Sequence, residues 1–62
     1  MRTWLKEIRL KVGMTMKTVA ELSGISEGYY CQIENGIRNA PVMTAKKIAT
    51  ALDFDWHLFF EE

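Results

Sequence analysis

Apolar residues recur along this chain at three- and four-residue intervals, the spacing that gathers side chains on one face of an α-helix. Nowhere do they alternate with polar residues for long enough to make a strand. Leu5, Ile8 and Val12 stand at i, i+3 and i+7, which predicts a first helix over roughly residues 3–11 with those three buried. Gly13 then stops it. Thr15 is placed to cap a second helix, with Val19 and Ala20 inward and an end at Ser23-Gly24. Ser26 caps a third, in which Tyr30 and Ile33 share the inner face, and Asn35-Gly36 ends it at residue types that accept positive φ cheaply. An exposed loop over residues 36–40 leads to Pro41, which opens a fourth helix with Val42, Ala45, Ile48, Ala49 and Leu52 as its buried stripe. Asp55 caps a short fifth helix from Trp56 to about Phe60. The expectation is a compact all-α domain of five short helices, one domain over residues 1–62.

Composition narrows this further. Sixty-two residues leave no room for a lobed enzyme, and a hydrophobic fraction of 48% is too high for a disordered tail. No run of apolar residues is long enough to span a membrane, and the N-terminus lacks the apolar core of a signal peptide. A single cysteine, Cys31, forms no intramolecular disulfide, which fits a reducing, cytoplasmic setting. The formal charge is zero, but it is unevenly spread. Residues 1–47 hold all eight basic residues against four acidic ones, a balance of +4, and residues 48–62 hold four acids and no base, a balance of −4. Such a chain can offer one face to a polyanion and keep another away from it.

Catalytic chemistry finds little to work with. His57 has no second histidine and no cysteine at ligand spacing, so no metal site is expected. Cys31 with one distant histidine is not a nucleophilic pair, and no enzyme activity, cofactor or small-molecule ligand is expected.

The informative stretch runs over about residues 16–35. Ala20 is small enough for the third helix to approach the second, Gly24 stands where the chain must turn left-handed, and Ile25 plugs the angle between the two helices. Together with Arg9 four residues before Gly13, the Ile33-Glu34-Asn35-Gly36 helix end, Ala49-x-Ala51-Leu52 and the final aromatic helix, these residues make the chain resemble the Cro/phage-repressor (XRE-type) helix-turn-helix family from Leu5 through Phe60. The resemblance implies a lambda-repressor-like five-helix fold and a transcriptional regulator, expected to be a repressor, that lays its third helix in the major groove of double-stranded DNA. It also implies roles. Glu27, Gly28, Tyr29 and Gln32 match base-reading positions, and Gln and Glu suit adenine and the cytosine amino group respectively. Thr15, Lys17, Ser26, Asn35, Arg38, Asn39 and Thr44 match positions that touch the DNA backbone. Arg9 and Glu34 match an ion pair between the first and third helices.

Two positions depart from the family pattern. Met16 stands where a Gln is common, and Met donates no hydrogen bond. Tyr30 stands where an aliphatic residue is usual and needs a partner for its hydroxyl if buried. The alternative function is a protein-interaction or antitoxin-like domain on the same fold, favoured by the neutral charge and Met16 and opposed by the basic residues 1–47. A weak homodimer through the C-terminal helix is also expected. On a helical period Trp56, Phe59 and Phe60 share one face, which leaves Leu58 outside.

Overall fold

Each helix begins and ends where local chemistry stops it. The computed structural model describes residues 1–62, with α1 Thr3–Val12, α2 Met16–Ser23, α3 Glu27–Glu34, α4 Val42–Leu52 and a C-terminal 3₁₀ helix Trp56–Phe60. The Thr15 hydroxyl accepts the Thr18 N–H at 3.1 Å and the Ser26 hydroxyl accepts the Tyr29 N–H at 3.1 Å, so both helices of the central pair carry side-chain N-caps. The Asp55 carboxylate accepts the His57 N–H at 2.9 Å. The expected fifth α-helix is instead one of 3₁₀ type, tightened over only five residues. α4 ends without a glycine: Asp53 itself turns left-handed at φ 59. At the end of α3 the left-handed residue is Gly36, at φ 77, while Asn35 keeps φ −81.

The helices enclose one core. Leu5, Val19, Ala20, Tyr30, Ile33, Ala40, Ala45, Ile48, Leu52 and Phe59 are buried together, with α2 packed on α3 and α4, and α1 packed on α3 and α4. Trp4 is half-buried, edge-on to Phe54 and Phe59 at 5.6 and 5.1 Å, which ties the start of α1 to the C-terminal end.

Four positions differ from the periodic reading. Val12 and Val42 point along the buried stripes of α1 and α4 yet are 48% and 47% exposed. Both stand in terminal turns, where no other element reaches across to cover them. Ala40, assigned to an exposed loop, is buried. In the last helix a 120° step groups Trp56 with Phe59, and Phe60 falls outside at 56% exposed against 36% for Leu58.

Candidate nucleic-acid interface

The central geometry is the joint between α2 and α3. Gly24 at φ 70 closes α2, with its N–H shared between the Ala20 and Glu21 carbonyls, and the Ile25 N–H then bonds the Ala20 carbonyl at 3.0 Å. Ile25 is half-buried against the core and Ser26 starts the next helix at once. Glycine adopts this left-handed turn without the penalty a Cβ would bring. The result is a tight three-residue turn between two helices of eight residues each.

Once α3 turns Tyr30, Ile33 and Glu34 inward, a step of 100° per residue puts Gly28 and Gln32 on its outer side. Glu27 and Gly28 are exposed; Tyr29 and Gln32 are partly covered. The cover is Arg38, whose guanidinium lies 5.7 Å from the Tyr29 ring centre and donates through Nε to the Gln32 Oε1. Tyr29, Gln32 and Arg38 are therefore one cluster at the outer surface of α3. Glu27 stands in the first turn of α3, where a carboxylate also suits the positive end of the helix dipole.

The remaining positions lie outside that cluster, on other helix starts and in the loop after α3. Lys17 is exposed in the first turn of α2 and Thr44 half-exposed in the first turn of α4. Thr15 and Ser26 have their hydroxyls engaged as caps, which points them at helix N-termini whose N–H groups favour anions. Asn35 donates to the Cys31 sulfur at 3.2 Å and Asn39 accepts from Arg2 at 3.3 Å. Met16 fills space at the edge of the core rather than offering a polar group.

Behind this surface lies a buried charged cluster. Arg9 grips Glu34 through two nitrogens, at 2.8 and 3.3 Å, and donates a third bond to the Met14 carbonyl at 2.9 Å. The Tyr30 hydroxyl donates to the same carboxylate at 2.9 Å, which supplies the partner that a buried tyrosine needs. Burial, reinforced by the Glu34 charge, holds the Tyr30 phenol well above the usual tyrosine range. The hydrogen bond to Glu34 raises the Arg9 guanidinium further, against the cost of burial. Glu34 ends α3, where the helix dipole disfavours a carboxylate, so Arg9 is needed for local neutrality as well as for orientation.

Burial changes the charge picture. Arg2 and Arg9 are inside, leaving Lys6, Lys11, Lys17, Arg38, Lys46 and Lys47 exposed in residues 1–47 against Glu7, Glu21 and Glu27, six to three, a surface balance of +3. The acidic end is not free either, since Glu62 pairs with Arg2 at 3.0 Å and accepts from the Trp4 indole at 2.8 Å. Arg2 is the residue that periodicity and motif both missed. Its partners are 31 to 60 residues away, and no local signal marks it. No three His, Cys, Asp or Glu side chains stand close enough to hold a metal, and no helix is long and apolar enough to cross a membrane.

Comparison with known proteins agrees with this geometry. The family model described as Helix-turn-helix matches residues 5–59. A Bacillus subtilis (strain 168) protein named "Uncharacterized HTH-type transcriptional regulator YqaF" is 48% identical over 62 residues, which cover 100% of this chain and 82% of that protein. The family match and this relative support DNA-binding transcription regulation as the broad function. The match spans α1, the α2–turn–α3 unit and α4 alike, and the chain belongs to the XRE-type helix-turn-helix family.

Proposed function

We propose that this chain is a sequence-specific regulator of transcription, a repressor of the Cro type, that acts as one domain over residues 1–62 and inserts α3 in the major groove of double-stranded DNA. Glu27, Gly28, Tyr29 and Gln32 read base edges, and Thr15, Lys17, Ser26, Asn35, Arg38, Asn39 and Thr44 contact phosphates and set register. The observation that carries this reading is Gly28. It has an ordinary helical φ, and a Cβ built there would meet nothing within 4 Å. The fold itself has no need of a glycine, although glycine costs a helix roughly 1 kcal/mol relative to alanine. Close approach of an outside surface to the helix backbone explains it. Gly28→Ala should therefore raise the melting temperature and at the same time weaken binding to a duplex selected by the wild-type chain. Unchanged affinity would remove the support that Gly28 gives.

The chain is proposed to pair weakly with a second copy in solution, and more tightly on DNA. Leu58 lines a shallow groove of about 410 Å³ with Trp4, Ile8 and Lys11 of α1, bordered by the acidic Glu7, Glu61 and Glu62. One copy makes few phosphate contacts, and two copies on adjacent half-sites gain from effective concentration. Leu58→Glu should abolish concentration-dependent association in sedimentation while the far-ultraviolet spectrum stays helical. A strictly monomeric wild type that binds one half-site as tightly as a palindrome would refute the pairing.

A further inference from the structure

Arg2 is only 7% exposed and its side chain makes four hydrogen bonds, one more than Arg9. One terminal nitrogen donates to the Ile33 carbonyl at 2.5 Å and the Arg38 carbonyl at 2.9 Å, and the other donates to the Asn39 side chain at 3.3 Å. Its Nε faces Glu62 at 3.0 Å, and its guanidinium carbon lies 5.7 Å from the Phe59 ring centre. The Arg2 backbone N–H adds a bond to the Glu34 carbonyl at 2.7 Å.

The two carbonyls stand at opposite ends of one segment. Ile33 belongs to the last turn of α3 and Arg38 lies in the loop beyond it, so a single guanidinium clasps the chain on either side of Asn35-Gly36-Ile37. The clasp adds to bonds the loop makes with α3 itself: the Gly36 N–H bonds the Ile33 carbonyl, the Ile37 and Arg38 N–H groups both bond the Gln32 carbonyl, and the Arg38 side chain meets Gln32 and Tyr29. Met1 lies against the loop from the same side, since a Cβ on Gly36 would stand 3.0 Å from the Met1 nitrogen. A cation at the C-terminal end of α3 is also favoured by the helix dipole.

We propose that Arg2 is a positioning residue for DNA binding: from inside the fold it sets where Arg38 and Asn39 stand beside α3, and Glu62 steadies it from the C-terminal end. Arg2 itself touches no DNA. The inference rests on the DNA-binding reading above. It predicts that the placement of the phosphate-gripping loop depends on residues at the two ends of the chain. A planar guanidinium spans four acceptors at fixed angles, which a lysine ammonium cannot do. A methionine fills much of the same volume against Phe59 but leaves the Arg38 carbonyl without its partner. Glu62, the charge left behind, is 36% exposed and can be rehydrated, so Arg2→Met strands no fully buried carboxylate and separates positioning from folding better than the loss of Arg9 would.

The test uses the untagged chain, because Met1 abuts the loop. Binding is followed by fluorescence anisotropy to a labelled duplex that the wild-type chain has selected from a randomised pool, and amide hydrogen exchange is measured in parallel. Arg2→Met should bind about tenfold more weakly, within the range by which a residue that touches no ligand modulates binding through its neighbours. Exchange at Gly36, Ile37 and Arg38 should rise, while amides within α2 and α4 keep wild-type protection. Arg2→Lys and Glu62→Gln should give smaller losses in the same direction, and they carry the test alone if Arg2→Met does not fold. Wild-type affinity in all the variants that fold overturns the proposal. So does a loss matched by faster exchange throughout α2 and α4, which marks a merely structural role. A wild-type chain that binds no duplex at all overturns the DNA-binding reading and this inference with it, an outcome distinct from wild-type binding that the variants leave intact.

Discussion

Replacing Arg9 by methionine strips Glu34 of its main partner without opening a hole. The Glu34 side chain is 4% exposed and accepts three hydrogen bonds, two from Arg9 at 2.8 and 3.3 Å and one from Tyr30 at 2.9 Å. With Arg9 gone, a buried carboxylate keeps one hydroxyl as its only partner, a situation that costs about 3–5 kcal/mol. A chain of this length has a total stability of about 3–9 kcal/mol, so the change removes much or all of it. Tyr30→Phe deletes one bond to a charge while Arg9 still holds the carboxylate, and the expected loss is about 1–2 kcal/mol. Arg9→Met combined with Glu34→Leu removes both charges together and should recover most of what Arg9→Met loses. Urea unfolding followed by helical circular dichroism measures all of these. A double variant no more stable than Arg9→Met, or Tyr30→Phe within about 0.5 kcal/mol of the wild type, would refute the assignment of the cluster as a coupled unit.

The same cluster sets a pH dependence. Tyr30 is held above the usual phenol value of 10 in the folded chain, so the native state keeps a proton that the unfolded chain releases first. Its share of the stability is intact below about pH 10 and drains away as the pH rises beyond it. Tyr30→Phe should lose that alkaline decline. A decline of equal steepness in the variant would assign it to other groups.

Three further changes follow from single observations. The Ser23 hydroxyl is buried with no hydrogen-bond partner, so Ser23→Ala should raise stability by about 1 kcal/mol in urea unfolding, and a loss would mean that the hydroxyl has a partner. Asp53 ends α4 at φ 59, a conformation glycine adopts more cheaply, so Asp53→Gly should be neutral or stabilising by up to about 1 kcal/mol, and marked destabilisation would contradict that geometry. Arg38→Ala should weaken binding to all duplexes alike and flatten the salt slope by about one; an unchanged slope would mean that Arg38 meets no phosphate.

Signals carried by neighbouring residues were legible in the sequence. Thr15, Ser26 and Asp55 announce helix starts because a cap acts over two or three residues, and Ala20, Gly24 and Ile25 mark the turn because each answers a local steric demand. Periodicity gave directions but not partners. Val12 faces the right way and is still exposed, because direction says nothing about whether another element lies opposite. A 3.6-residue period puts Phe60 on the inner face, and a five-residue 3₁₀ helix does not follow that period. The candidate site divides in the same way. Positions on the outer side of α3 follow from the helix itself, whereas the link from Gln32 and Tyr29 to Arg38 and the Arg2 clasp depend on how distant segments meet. The excess of bases over residues 1–47 overstated the basic surface, since two of the eight arginines and lysines are buried with acidic partners.

The most direct test of DNA recognition by α3 is the salt dependence of affinity for two duplexes, one selected by the chain from a randomised pool and one with the same bases in scrambled order. The phosphate contacts proposed for Lys17 and Arg38 predict that the logarithm of affinity falls with the logarithm of salt at a slope of about −2 or steeper per bound copy, with the selected duplex favoured throughout. Gln32→Ala should narrow the gap between the two duplexes while leaving that slope nearly unchanged. Equal affinity for both duplexes, or binding that salt does not weaken, would contradict sequence-specific recognition of DNA by this chain.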